Sequence, residues 1–397
     1  MSWKARCVMD ERRGFIEDWL KGEWTVVSLC RAYGVSRKTG YKWIARFKES
    51  GFVGLEDRSR APMRRPNAVP PGMVERIVAT KRAHVRFGPL KILHVLKRQE
   101  PDLDWPAAST IGDILDRHGL VSRAKRRRKS TPGALPLQTG GAPNEVWCAD
   151  FKGWFKTGDG SRCMPLTISD HYSRYLIGCH GLGGRTGFEE VQPLFELAFR
   201  ECGLPLILHT DNGAPFASTG LAGLSRLSVW WLKLGIWPQR SRAGHPQDNG
   251  RHERMHKTLK QYTADPPEAS LPRQQAAFAA FLDEFNQQRP HEALGQTPPA
   301  EHYHRSRREF PQRLLSRPDY PDEWEVRKVK NSGRIKWKGK ALGVNTALTG
   351  EYLGLKPLDD GLWELYFLHY PLGVFDETRY RIRPRKNTPH PKTKERE

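Results

Sequence analysis

The chain has 397 residues, which is too long for one small domain, and 38% of them are hydrophobic, which excludes global disorder. It carries 66 Lys and Arg against 44 Asp and Glu, a net charge of +22 at pH 7. Such an excess favours a polyanionic partner, because each neutralised phosphate releases condensed counterions. No apolar run is long enough to span a membrane, and the charged N-terminus is unlike a signal peptide, so we expect a cytoplasmic protein.

The six cysteines form no C-x-x-C pair. This spacing argues against a disulfide framework and against a cysteine-based zinc site, and it predicts that most of the thiols are reduced core residues.

Residues 1–60 predict three helices, over 8–20, after Thr25, and from Ser36 through Phe47. Gly34, Val35 and Ser36 form a tight turn before the third helix, a pattern typical of the helix-turn-helix, whose second helix enters the major groove. We therefore predict a DNA-binding domain here. The alternative is a plain three-helix bundle with a solvated basic face. The predicted DNA contacts are Arg37, Lys38, Tyr41, Lys42 and Arg46.

Three weaker helical segments over 73–85, 89–98 and 109–118 predict a second helical DNA-binding domain at 72–121. A basic linker follows at 122–143. Its Arg126, Arg127 and Arg128 are predicted to track phosphates, although a run of charge is often only a solvated tail.

Residues 144–305 predict three successive strands and then alternating helices and strands, which suits a mixed five-stranded sheet with flanking helices. Residues 320–384 consist of short strand-like runs separated by Gly and Asp turns, which predicts a small β-barrel. The tail, 385–397, is predicted to be disordered. The expected fold is multidomain α+β: N-terminal helix-turn-helix units, a mixed α/β catalytic core and the C-terminal barrel.

Three carboxylates stand at informative places in the predicted core. Asp150 ends a strand, Asp211 ends another, and Glu253 lies near the start of a helix. Two divalent cations can activate the attacking oxygen and stabilise the leaving oxygen of a phosphodiester, and Mg²⁺ prefers oxygen ligands. Converging carboxylates could supply such a site. Each aspartate taken alone is more simply read as a helix cap or a turn former.

The surrounding motifs are W-C-A-D-F (147–151), T-D-N-G (210–213), H-P-Q-D-N-G-R-H-E-R (245–254) and N-x-x-R-P-H-x-A-L (286–294). Together they resemble the catalytic motifs of DDE transposases of bacterial insertion sequences, which have a retroviral-integrase-like core with an RNase H-like fold. Residues 170–174 resemble the D-x-x-S-R turn of that family. The interval between Asp211 and Glu253 is a little longer than the usual pattern.

The resemblance implies that Asp150, Asp211 and Glu253 are catalytic ligands of two Mg²⁺ (or Mn²⁺) ions. It implies cleavage that exposes 3′-hydroxyls and their joining to target DNA. The implied partners are the terminal inverted repeats of the element, target DNA and at least one second copy of the chain, in the bacterial nucleoid. Further residues are expected to line the site or contact DNA: Asn212, Gly213, His245, Asn249 and Lys260. Asp170 is expected to be structural and to pair with Arg174.

Two other functions compete with this interpretation. His252, Glu253 and His256 match H-E-x-x-H, in which two histidines on one helix face hold zinc and the glutamate acts as general base of a protease. A DNA-binding regulator, or an inactive transposase relic, would share the helix-turn-helix and the charge. The two aspartates argue against a protease, and the ordered set of three carboxylates argues against a regulator.

Overall fold

The computed structural model describes residues 7–59, 68–121, 140–242, 250–314, 317–359 and 361–385. The chain divides into two compact units, residues 1–70 and residues 71–397. Most of the predicted basic linker and of the predicted C-terminal tail lies outside the described residues.

The N-terminal unit contains the three predicted helices, α1 (Val8–Leu20), α2 (Val26–Ala32) and α3 (Arg37–Ser50). The Thr25 hydroxyl accepts the backbone N–H of Ser28 at 3.2 Å, and the Ser36 hydroxyl accepts that of Thr39 at 3.2 Å. These caps satisfy backbone groups that the first turn of a helix leaves without partners. The core buries these apolar side chains: Phe15, Ile16, Leu29, Cys30, Trp43, Ile44 and Leu55.

A glycine sets how closely α2 and α3 approach each other. A Cβ atom on Gly40 would collide with the Cys30 sulfur and crowd the Phe15 ring. The structure thus contains the three predicted helices, and their assignment as a helix-turn-helix stays a prediction.

The second unit begins with α4 (Pro71–Ala83), α5 (Pro89–Gln99) and α6 (Ala108–Arg117). These helices dock on the residues that follow: Arg98 pairs with Glu301 at 2.7 Å, and the Arg289 guanidinium lies 5.5 Å from the centre of the Phe87 ring.

The central sheet of the second unit follows in sequence. Its strands are β1 (Val146–Phe151), β2 (Phe155–Lys156), β3 (Arg162–Asp170), β4 (Leu176–Leu182), β5 (Ile207–Thr210) and β6 (Trp237–Arg240). β1 pairs with β3 and β3 with β4, both antiparallel, whereas β1 pairs with β5 and β5 with β6 in parallel. The short β2 adds to the start of β3. This is the mixed five-stranded sheet that the sequence predicted, with one small extra strand.

Four helices flank the sheet: α7 (Phe188–Cys202), α8 (Arg226–Lys233), α9 (Gly250–Thr263) and α10 (Leu271–Asp283). Because side chains alternate along a strand, Trp147 and Ala149 pack with α7 and α8 on one face. α9 and α10 pack instead against Cys163, Leu176 and Cys179 of β3 and β4.

The C-terminal region forms two sheets. Its strands are β7 (Glu325–Lys328), β8 (Arg334–Trp337), β9 (Lys340–Gly343), β10 (Tyr352–Asp359), β11 (Leu362–Phe367), β12 (Tyr370–Asp376) and β13 (Arg381–Pro384). Five of them make an antiparallel sheet in the order β13-β12-β11-β10-β7, and β8 pairs with β9. The closure of these sheets into a barrel stays a prediction.

The C-terminal sheets share a hydrophobic core with the central sheet. Val146, Cys148 and Ile207, which alternate with the residues facing α7 and α8, pack with apolar side chains of the C-terminal strands. The rings of Trp237 and Tyr370 lie 4.8 Å apart, and Lys233 pairs with Glu351 at 2.8 Å. The C-terminal region therefore covers one face of the central sheet.

Among the described residues, no helix combines the length and the apolar character that crossing a bilayer requires.

Candidate active site

The structure places Asp150 and Asp211 at neighbouring strand ends. Ala149 of β1 lies opposite Thr210 of β5 in the parallel pair, and each aspartate is the next residue along its strand direction. Parallel strands end at one edge of a sheet, so the two carboxylates leave the sheet side by side. The side chain of Asp150 is only 15% exposed.

The turn after β5 is built around the Asp211 carboxylate. The backbone N–H of Gly213 donates to Asp211 Oδ1 at 3.1 Å. A Cβ atom at position 213 would lie 3.0 Å from Asp211 Oδ2, so glycine allows this close approach. Asn212 donates from Nδ2 to the carbonyl of Ser241 at 2.8 Å, which ties the turn to the chain after β6.

Glu253 lies in the first turn of α9, and its side chain is exposed. Within the part of the chain that the structure describes, no three His, Cys, Asp or Glu side chains come together in a group that could hold a metal ion. The structure thus brings together two of the three predicted carboxylates at one sheet edge, and it leaves the third outside a completed cluster.

His252 and His256 lie on the buried side of α9, with exposed fractions of 4% and 6%. His256 Nε2 is 2.7 Å from the Thr167 hydroxyl, and its Nδ1 is 4.0 Å from Asp150 Oδ2. Burial lowers the pKa of His256 to about 4, and burial also holds the pKa of His252 well below its usual value. Both imidazoles are therefore buried in the packing of α9, and neither ring is exposed for contact with DNA.

Asp170 has the structural role that the sequence predicted, with a different partner. Its Oδ2 accepts both the hydroxyl (2.6 Å) and the backbone N–H (2.7 Å) of Ser173, and its Oδ1 accepts the backbone N–H of Asn144 at 2.8 Å. Arg174 contributes its backbone N–H to the Asp170 carbonyl, while its guanidinium donates to the carbonyl of His171. The predicted pairing of Asp170 with Arg174 is thus made through the backbone.

The N-terminal unit presents a basic face on α3. Arg37, Lys38, Tyr41 and Lys42 are exposed, and Arg46 is partly buried. Trp43 is buried beneath them, with the Lys42 ammonium 4.8 Å and the Arg46 guanidinium 5.0 Å from its ring. This face suits the phosphate backbone of DNA, and its role as a contact surface stays a prediction.

Lys260 is exposed on α9, two helical turns beyond Glu253 and on the same face. His245 and Asn249, which were predicted to line the site, lie outside the described residues. So do Arg126, Arg127 and Arg128 of the predicted linker.

Four family models match the chain, and all four describe mobile-element or integrase domains. Two described as "Integrase core domain" match residues 141–246 and 234–299. One described as the leucine zipper of insertion element IS481 matches residues 3–83, and one described as the C-terminal domain of IS481 family transposases matches residues 324–383. Together these matches identify the chain as a DDE transposase of the bacterial insertion-sequence type, and two of its segments are similar to domains of IS481 transposases. It is accordingly an enzyme of the DDE polynucleotidyl transferase class.

Relatives of this transposase are proteins of other insertion elements. The chain is 29% identical over 186 residues to an uncharacterized 31.7 kDa protein of insertion element IS407 from Burkholderia multivorans, a match that covers 45% of this chain and 63% of that protein. It is 25% identical over 290 residues to an uncharacterized 39.2 kDa protein of IS476 from Xanthomonas euvesicatoria, covering 72% and 80%.

One solved structure with a similar fold is the HTLV-2 integrase catalytic core domain in complex with magnesium. It is 20% identical, covers 42% of the transposase and 99% of its own chain, and has a TM-score of 0.33.

Two features of the site were missed from the sequence. The first is the contact of His256 with Thr167, which joins residues 89 positions apart, so no local pattern could have revealed it. The second is a cleft lined by Lys152 and Trp154, next to the aspartates. Their position directly after W-C-A-D-F was the one available signal.

Proposed function

We propose that this transposase cleaves DNA at the ends of its element and joins the resulting 3′-hydroxyls to target DNA, with Asp150, Asp211 and Glu253 as the ligands of two divalent cations. The observation that carries the proposal is that Asp150 and Asp211 each follow the last residue pair, Ala149 and Thr210, of two adjacent parallel strands. No nucleophilic side chain is needed, because water or a DNA hydroxyl attacks the phosphorus.

The donor set fits Mg²⁺ or Mn²⁺. Asp150 and Asp211 offer carboxylate oxygens, which hard divalent cations prefer, and their side-by-side exit from the sheet lets them share an ion. Bound cations would neutralise charge on the phosphate and lower the pKa of an attacking water or hydroxyl.

Glu253 is proposed as the third ligand, on the strength of the position of α9. His256 lies three residues further along this helix and within 4.0 Å of Asp150, so the start of α9 is held beside the aspartates. We expect cation binding to draw the Glu253 side chain toward the pair.

The proposed substrate is DNA, and the proposed working form is at least a dimer. The net charge of +22 and the basic face of α3 favour a phosphate backbone as partner. Two element ends must be held together for coordinated insertion, which requires more than one copy of the chain.

The test measures nicking and strand transfer with DNA that carries the ends of the element, in the presence of Mg²⁺. Asp150→Asn, Asp211→Asn and Glu253→Gln should each abolish both reactions and leave DNA binding unchanged. The matched control is Glu201→Gln, which neutralises an exposed carboxylate at the end of α7 and should keep full activity. A wild-type protein that binds these ends but neither nicks nor joins them would support a DNA-binding regulator or an inactive relic instead.

A further inference from the structure

A cleft beside the two aspartates carries features that the metal site does not require. Its walls include Lys152, Trp154, Pro165, Leu259, Lys260 and Thr263, and it opens to solvent. Lys152 and Trp154 follow Asp150 in the chain, and Lys260 projects from the helix that carries Glu253. The cleft therefore lies between the segment that follows Asp150 in the chain and the helix that carries Glu253.

Trp154 is 56% exposed, although an indole ring is among the side chains that gain most from burial. The Arg162 guanidinium lies 4.5 Å from the centre of its ring. A cation over an aromatic face is attracted by the ring quadrupole, so Arg162 helps to hold the ring in place. The result is a fixed aromatic surface that is open to an incoming ligand.

The charges around this surface select the ligand. Lys152 and Lys260 line the cleft and Arg162 stands over the indole, whereas no Asp or Glu is among the described residues that line it. An exposed aromatic ring in a cleft that two lysines also line matches a nucleotide, whose base stacks and whose phosphates pair with the lysines.

The distance to the carboxylates places the nucleotide along the DNA strand. Lys260 lies seven residues after Glu253 on α9, about 10 Å along the helix axis. Stacked nucleotides rise about 3.4 Å each. The cleft is therefore about two to three nucleotides from a phosphate held at the carboxylates.

We propose that Trp154 is a stacking platform for an unpaired DNA base about two to three nucleotides from the scissile phosphate, with Lys152 and Lys260 holding the phosphates that flank this base. The proposal rests on the proposed function, since it assumes that the carboxylates act on DNA. Trp154 is thereby a positioning residue for the strand and selects ends that can open over ends that stay paired.

The test is metal-free binding of the full chain to two fluorescently labelled probes. One is a blunt duplex, and the other is the same duplex with a short single-stranded oligo-dA extension. Trp154→Ala should weaken binding of the extended probe about tenfold and that of the blunt duplex less than twofold, since stacking on one aromatic side chain is worth about that much per base. Trp154→Phe should restore most of the lost affinity, because a phenyl ring still stacks.

A matched control is Trp24→Ala, which removes another exposed indole (48%) in the N-terminal unit and should bind the two probes in the wild-type ratio. Quenching of tryptophan fluorescence by the oligo-dA extension should be smaller in Trp154→Phe than in the wild type. The inference is overturned if Trp154→Ala weakens both probes equally, or neither, which would point to a structural ring or to a protein ligand. Because this assay uses no metal and no cleavage, its failure would leave the carboxylate tests untouched, and failed cleavage would leave the stacking result standing.

Discussion

Single residues set the geometry of the aspartate pair. Gly213 does so because it has no Cβ atom to crowd the Asp211 carboxylate. Gly213→Ala would push a methyl group to 3.0 Å from Asp211 Oδ2 and turn the carboxylate away from Asp150. Since a misplacement of about 1 Å can lower a rate by about 100-fold, we expect a loss of strand transfer of up to that size with normal DNA binding. Gly343→Ala is the control, because a methyl group there meets no atom within 4 Å. Wild-type activity in Gly213→Ala would show that the turn does not constrain Asp211.

A second residue-scale prediction concerns His291, whose pKa is lowered by burial and by the nearby Lys91 and Arg289 cations to about 3. As the pH falls, the unfolded chain protonates this histidine near pH 6.5, whereas the folded protein does so only near pH 3. The contribution of the neutral imidazole to the free energy of unfolding is therefore fully present above pH 6.5 and is lost as the pH falls toward 3. Between pH 6.5 and pH 3, each such histidine lowers the free energy of unfolding by about 1.4 kcal/mol for every unit by which the pH falls.

His291→Phe should therefore flatten the pH dependence of the free energy of unfolding, measured by urea denaturation between pH 6.5 and pH 4. The introduced ring keeps an edge contact with Phe285, whose ring centre lies 4.7 Å from that of His291. His118→Gln, at an exposed position at the end of α6, should leave the slope unchanged. Equal slopes in all three proteins would contradict the assignment.

At the scale of elements, α10 is anchored to β4 by Gln275, which bonds the backbone of Cys179 and Gly181, and by Asn286 just beyond the helix. Asn286, in the turn that continues α10, is 1% exposed and makes two hydrogen bonds of 2.8 Å with the backbone N–H and carbonyl of Leu176. Asn286→Ala leaves both groups buried without these partners, so we expect a loss of about 2–4 kcal/mol in the free energy of unfolding. The neighbouring exposed Gln287→Ala should cost little. Urea titrations of the two variants give the comparison, and similar midpoints would count against the anchor.

Most helices and strands were predictable from sequence, including the four-residue β8 (334–337), whereas two short strands with little apolar pattern were not. The predicted bounds of α1 (8–20) and β1 (146–151) agree with the structure residue for residue. β2 has only two residues, and Ile382 is the one partly buried residue of β13. Neither segment therefore shows the apolar alternation of a strand in the sequence alone. Whether so short a segment becomes a strand depends on the neighbouring strand that it pairs with, and this long-range contact cannot be predicted from two to four residues of sequence.

The candidate site divides in the same way. Asp150 and Asp211 could be located from the sequence, because each stands in a motif at the end of a predicted strand. Their neighbouring positions then follow from the parallel pairing of the two strands. The position of Glu253 depends on how α9 docks, which rests on the contact of His256 with Thr167 across 89 positions.

At the scale of the whole molecule, the central and C-terminal sheets share one hydrophobic core, so we expect the two to unfold together. Tyr370 is 2% exposed and packs on Trp237. Tyr370→Ala should cost about 3–5 kcal/mol and speed hydrogen exchange at the amides of β1 and β5 as well as β12. Leu358→Ala, at a side chain that is 45% exposed, is the control. Faster exchange confined to the C-terminal strands would mean that the two regions unfold separately.

Replacing the Glu253 carboxylate with a thiolate tests most directly whether Glu253 completes a cation site with Asp150 and Asp211. Mg²⁺ is a hard ion that binds sulfur poorly, whereas Mn²⁺ accepts softer ligands more readily. Strand transfer by Glu253→Cys should therefore be lost with Mg²⁺ and partly recovered with Mn²⁺, while the wild type works with both. Full activity of Glu253→Cys with Mg²⁺ would contradict the account, because the side chain could then not be a ligand.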